Sequence, residues 1–327
     1  MRVGAHEVLH VRIADPNDYP AIAEVSAAAW PDRGMSIARL LEQDQTYKSH
    51  EYFRKYFVAE EQGHKVVGFG LLSHSVTEYH PNKLNMELAV PPEWRGVGIG
   101  SKIYDFLMQE TERKGFETLW AETRNDFYAG VRFLNKRGFI ESRRKWESVL
   151  ELDLFDPEKF RSAVEGIDRI DVMVSNAKGE KSLSEDWERK FYALNIETAF
   201  DVPRSETYTP PNFEQAMTHE VRSPDFMPEL CLIAKKNGEY VARTGLVKSQ
   251  SKPNALTTTY TCTKKEYRNK GIALALKVLS LQRAKEMGFK TVSTINDSLN
   301  KPMLSTNQRL GFLKRAEWIR YEKTCVK

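Results

Sequence analysis

The stretches RGVGIG at 95–100 and RNKGIA at 268–273 stand 173 positions apart, and that offset constrains the chain more than any other feature. It also carries Gly115-Phe116 onto Gly288-Phe289 and Gly138-Phe139 onto Gly311-Phe312. Landmarks that keep register over about 45 residues without an insertion mark a duplication, not two unrelated glycine turns. The period is domain-sized, so the expected product is two similar domains in tandem and not a solenoid. With 327 residues, each copy has enough chain to bury its own core. The charged segment FDPEKFRSA (155–163) is the expected junction; a division near residue 160 gives domains 1–160 and 161–327.

Both copies show the same order of elements. In the first, 10–15 reads as a strand, 18–30 as a helix entered at Asp15-Pro16, and 56–75 as two strands around a turn. A strand at 84–90 leads into the glycine loop, followed by a helix at 101–115, a strand at 118–124, a short helix at 127–137 and a strand at 138–152. The second copy gives a hairpin at 229–249, a strand at 255–263, a helix at 273–288, a strand at 290–296, a helix at 303–310 and a last strand at 317–324. Its early part, 166–228, matches the first copy poorly.

A glycine loop that leaves a strand and opens a helix turns several backbone N–H groups into one concavity, and the helix adds its own unpaired amides and positive dipole end. Glycine lets the backbone approach phosphate oxygens closely and adopt positive φ. Such a cradle suits a diphosphate. Arg95, Gly96, Val97, Gly98, Ile99 and Gly100, with Ser101 opening the helix, form the first; Arg268, Asn269, Lys270, Gly271, Ile272 and Ala273 form the second. Neither is a P-loop, because the G-x-x-x-x-G-K-[ST] pattern is missing. Neither suits a dinucleotide fingerprint, which follows the first strand of a doubly wound sheet, whereas these loops lie mid-domain.

The stretches LAVPPEWRGVGIGSKIYDFLM and TYTCTKKEYRNKGIALALKVL resemble the acetyl-CoA-binding motif of the GNAT superfamily of N-acetyltransferases, and the tandem arrangement resembles mycothiol synthase and related double-GNAT proteins. The resemblance covers each copy from its central hairpin to its end. It implies an α/β (α+β) fold of two GNAT domains, each a mixed, mostly antiparallel twisted sheet flanked by helices. Acetyl-CoA would be the cofactor, its pantetheine lying where the sheet splays open. Backbone groups of Leu88, Ala89 and Val90 in the first copy, and of Tyr260 to Thr263, including Cys262 and Thr263, in the second, would pair with the pantetheine amides.

The chemistry implied is direct attack of an amine on the thioester in a ternary complex, which needs alignment, removal of a proton and stabilisation of the oxyanion. Glu87, on the strand before the first loop where many family members carry an acid, is the first candidate base. Strand alternation puts it on one face with Ala89, towards either the cleft or solvent. Glu122 on the adjacent strand is the reserve. The usual thiolate acid of the family, a Tyr four residues before Gly-Phe, is replaced by Leu134 and Asn307; Tyr128, at the start of the same helix, is the substitute to test. The position matching Glu87 in the second copy is Tyr260. Asn296, Asn300 and Asn307 there resemble the segment that helps hold CoA in C-terminal halves of tandem GNATs, while Asn300, just before Lys301-Pro302, also suits a helix cap. The aromatics of 46–57 and the loop histidines His74 and His80 are further candidates for the acceptor side, each also readable as packing or surface residues.

Hydrophobic residues at 41% and charged residues at 29% describe a globular chain, and a net charge of +4 without a Lys/Arg block argues against nucleic-acid binding. The three cysteines have no metal or disulfide spacing, so no metal is expected and the expected compartment is reducing. No apolar run approaches a membrane span and the first 30 residues do not read as a signal peptide, which makes a cytoplasmic protein without a membrane partner the expectation. The expected function is transfer of an acetyl group from CoA to a primary amine of a small molecule or peptide. A non-catalytic acyl-CoA sensor and a structural partner that binds no CoA are the alternatives.

Overall fold

The computed structural model describes residues 9–31, 34–48, 52–61, 65–204, 206–249 and 252–325. Two compact units emerge, Met1–Arg143 with Ile319–Lys327, and Arg144–Trp318.

In the first unit β1 (His10–Ile13) leads to α1 (Tyr19–Ala29) through a turn that Asp15 caps, its side chain accepting the Asn17 N–H while Pro16 presets the backbone. There follow α2 (Ile37–Lys48), β2 (Arg54–Glu60), β3 (Val66–Ser73), β4 (Lys83–Ala89), α3 (Ile99–Lys114), β5 (Thr118–Arg124), α4 (Tyr128–Asn135) and the start of β6 (Ile140–Glu151). Strands β1 to β4 run antiparallel in chain order, and β5 joins β4 in parallel. Ile103 and Leu107 of α3, both fully buried, press on β3 at Gly70, where a Cβ would come within 2.8–2.9 Å of them. The opposite face is covered by α1, with Ile22 and Val25 against Tyr56 and Phe69.

The second unit contains α5 (Arg161–Asp168), β7 (Met173–Asn176), α6 (Ala177–Leu183), α7 (Trp187–Ala199), α8 (Phe213–Glu220), β8 (Leu232–Lys236), β9 (Glu239–Lys248), β10 (Ala255–Thr263), α9 (Ile272–Glu286), β11 (Thr291–Asp297), α10 (Lys301–Arg309) and the start of β12 (Leu313–Thr324). Strands β7 to β10 are antiparallel and β11 joins β10 in parallel, repeating the first unit. Helix α9 is buried on two faces, because Ile167 of α5 packs with Ile272, Ala275 and Leu276 on the face away from the main core.

The repeat predicts a division near residue 160; the compact units have other bounds. Lys145–Glu151 of β6 pairs with β11 inside the second unit. In the first unit β5 has the end of β12 beside it: Ile319 and Tyr321 enter that core, and the Cys325 N–H donates to the Glu117 carbonyl. Each unit is therefore completed by the closing strand of the other copy. The two strands are equivalent in the repeat, so exchanging them leaves the local sequence pattern unchanged.

Candidate active site

In each unit a parallel strand pair comes apart just before the glycine loop. In the first, β4 and β5 pair from Lys83–Thr118 to Asn85–Trp120, after which β4 continues only with β3 and β5 runs on to Arg124. In the second, β10 and β11 pair from Ala255–Thr291 to Thr257–Ser293 and then part. The second split has one feature more: a bulge between Thr258 and Thr261 interrupts the β9–β10 ladder. A bulge takes backbone groups out of strand pairing and re-aims side chains.

Beyond each split the chain makes a short 3-10 turn and enters its helix through left-handed backbone. Gly96 (φ 82°) and Gly98 (φ 96°) shape the first loop. Asn269 (φ 60°) and Gly271 (φ 79°) shape the second. Asparagine stands where the first copy has Gly96 because it is the side chain that best tolerates this region. The exposed amides of 96–98 and 269–271 precede the free first-turn amides of α3 and α9, the arrangement a diphosphate requires. Ile99 and Ile272 are buried and anchor their helices.

The two arginines of the motif face inward. Arg95 Nε donates to the Val90 carbonyl at 2.9 Å and its Nη2 to the Ala29 carbonyl at 3.3 Å. Arg268 Nε donates to the Thr263 carbonyl at 3.0 Å and its Nη2 pairs with Asp201. Val90 and Thr263 are themselves matching positions, so both arginines tie the loop back to the end of its own strand. Their function here is to hold loop geometry.

Register settles the direction of Glu87. Tyr56 of β2, Leu71 of β3 and Glu87 of β4 form one row across the sheet, on the face covered by α1, and the Glu87 charge is near enough to raise the Tyr56 phenol. Leu88 and Val90 face α3. Glu122 is bound to Arg320 Nε at 3.2 Å; the same guanidinium binds Glu78 at 2.8 Å and lies 4.1 Å from the centre of the Trp120 ring. Tyr128 is 74% exposed at the first turn of α4. Ser101 is held by Arg137, whose Nη2 donates to its Oγ at 2.8 Å while the guanidinium stacks 3.5 Å over Phe133. The loop histidine His74 is buried and accepts the Phe53 N–H.

In the second unit Tyr260 and Cys262 share the face covered by α7 and α8. The Tyr260 hydroxyl is 3.2 Å from Thr198 Oγ1, and burial pushes its pKa up to about 12. Beneath it lies Arg243, 1% exposed, 4.3 Å from the Phe191 ring centre, bonded to Asn195 Oδ1 and paired with Glu220. Asn300 caps α10, its Oδ1 accepting the Met303 N–H at 3.3 Å. Asn296 accepts from Asn307 Nδ2 at 2.7 Å, which leaves Asn307 Oδ1 buried and unpartnered. Thr258 Oγ1, one residue past the split, is also buried and unpartnered.

The sequence reading missed Arg243, Arg137, and the contact between Trp30 and Phe127, whose rings meet at 5.1 Å and 70°. The only available signal was the 173-residue offset, which pairs Leu134 with Asn307 and Phe127 with Asn300.

A family model for the acetyltransferase (GNAT) family matches residues 19–139 and again 188–312. The chain belongs to that family. A GCN5-related N-acetyltransferase from Sphaerobacter thermophilus matches with a TM-score of 0.67 at 19% identity, over 98% of this chain and 96% of that one. A tandem GNAT protein from the clavulanic acid biosynthesis pathway matches with a TM-score of 0.70 at 16% identity, over 98% and 99%. At these identities the likeness is one of fold, and it extends to the tandem GNAT arrangement. No curated protein matches. Among the described residues no helix is long and apolar enough to cross a membrane, and no group of His, Cys, Asp or Glu is placed to hold a metal ion.

Proposed function

We propose that this GNAT protein transfers an acetyl group from CoA to a primary amine of a small molecule or peptide by direct attack, with the chemistry in the second unit. The observation that carries the reading is the second split: a bulged strand, buried polar atoms without partners, and a left-handed loop opening α9, all within one short stretch of chain. The loop would hold the diphosphate, the freed backbone of β10 would align the amide arm, and the N–H groups released at the bulge would face the oxyanion. The amine would approach from the α7–α8 face past Tyr260. A phenol at about 12 cannot be the base at neutral pH. Protonating a thiolate of pKa about 8.5 from it runs uphill by about 5 kcal/mol, so Tyr260 acts as a hydrogen-bond donor to the reacting groups and not as the acid. Glu87 alone would favour the first unit; the surroundings of the two splits favour the second.

Thiol release from acetyl-CoA across a panel of amines tests this. Turnover that falls about 10- to 100-fold in Tyr260→Phe and survives Glu87→Gln supports it. Loss in Glu87→Gln alone moves the chemistry to the first unit. The sensor reading has an observation of its own, since buried Leu134 and Asn307 both lack the proton a family tyrosine would supply. CoA binding with no turnover on any amine would establish it.

A further inference from the structure

We infer that CoA enters only the second unit and that an aromatic bridge closes the mouth of the first. The inference rests on the acyl-carrier reading above. In the first unit Phe127, at the start of α4, reaches Trp30 at the end of α1 and lies 4.9 Å from the Arg95 guanidinium. Arg95 is itself tied to Val90 and Ala29, so the β5–α4 side and the β4-loop side of the split are joined where a carrier's arm must pass from loop to sheet. Phe133 stands 3.4 Å from where a Cβ on Gly100 would lie, and Leu134 fills the base of the mouth with buried apolar surface. Thr123 keeps an unpartnered hydroxyl there, with no polar neighbour supplied at position 134.

The matching positions of the second unit read the opposite way. Phe127 becomes Asn300, whose side chain turns back on its own helix, and Phe133 becomes Thr306, whose hydroxyl bonds the Pro302 carbonyl. Leu134 becomes Asn307, 3% exposed, with Nδ2 committed to Asn296 and Oδ1 without a partner. A buried acceptor left unmade is costly, and the amide N–H of a pantetheine-type arm would satisfy it. In the loop, exposed Lys270 replaces Val97 and adds a positive charge where the diphosphate would bind.

The test is titration of the full chain with CoA, read by calorimetry and by hydrogen exchange. The expected result is one CoA per chain, with exchange slowed at 269–273 and unchanged at 96–100. Phe127→Asn, which gives the first mouth the second unit's residue, is expected to raise the stoichiometry to two; a ratio that stays at one overturns the role of the bridge. Asn307→Leu is expected to weaken binding about tenfold in a chain whose melting temperature shows it folded, and unchanged affinity overturns the role of Oδ1. Slowed exchange at 96–100 in the unaltered protein, or two equal sites, overturns the inference and leaves acyl transfer standing. No binding at all overturns both.

Discussion

The two units share strand order, a split and a left-handed loop, yet differ at nearly every side chain around the split. The first lines it with Phe127, Phe133 and Leu134; the second places Asn300, Thr306 and Asn307 at the same positions. Duplication has preserved the backbone device. The side chains around it have diverged, apolar in the first unit and polar in the second.

The sharpest way to break the comparison is to damage one loop at a time. Valine in place of Gly271 puts a β-branched residue at φ 79°, and acetyl-CoA turnover is expected to fall at least about 100-fold through loss of the cradle. Gly98→Val, equally strained at φ 96°, should leave steady-state turnover within about threefold. Equal losses would mean that both loops work.

Next in size is stability. Both units carry a buried arginine side chain, Arg54 paired with Asp44 and Arg243 with Glu220. Arg243 is the more completely enclosed, so Glu220→Gln is expected to cost about 3 kcal/mol in urea unfolding. Asp44→Asn should cost less, since Arg54 also holds Gln43 Oε1 and the Tyr56 hydroxyl.

Lys277 gives a test of similar size and opposite sign. It stands where the first unit has Tyr104, is 3% exposed, and burial pulls its pKa down to about 8 from an ordinary 10.5. Below pH 8 it is charged in both states and the folded chain bears the full cost. Between 8 and 10.5 the unfolded chain holds the proton that the folded chain has released, so stability rises with pH. Lys277→Met should therefore stabilise by about 3 kcal/mol at pH 7, the gap narrowing by about 2 kcal/mol at pH 9.5, as measured by denaturant midpoints. The smallest effect concerns removal of the amine's proton. If the amine must arrive neutral, kcat/KM rises about tenfold per pH unit up to the amine's own pKa and then levels; a plateau set by the protein instead would reveal a base in the second unit.

The repeat, the GNAT fold and both loops were legible in the sequence because glycine and asparagine at left-handed positions leave a fixed spacing behind them. Helix α2 and helices α6 to α8 were not, since they lie where the copies have drifted apart and their short amphipathic runs have no partner at the offset. The direction of Arg95 and Arg268 was also hidden. A motif reports that an arginine is present, not that its guanidinium turns back on a carbonyl five residues earlier. Contacts such as Trp30 with Phe127 join residues far apart in the chain, and no local pattern records them.

The exchange of closing strands has a consequence for how the chain is made. On a ribosome the second unit has all of its segments once residue 318 has emerged, whereas the first, though begun earliest, waits for 319–325 to fill the gap beside β5. The usual N-terminal-first order of maturation is thereby inverted. A nascent chain halted a few residues short would carry a finished second unit and an open-edged first.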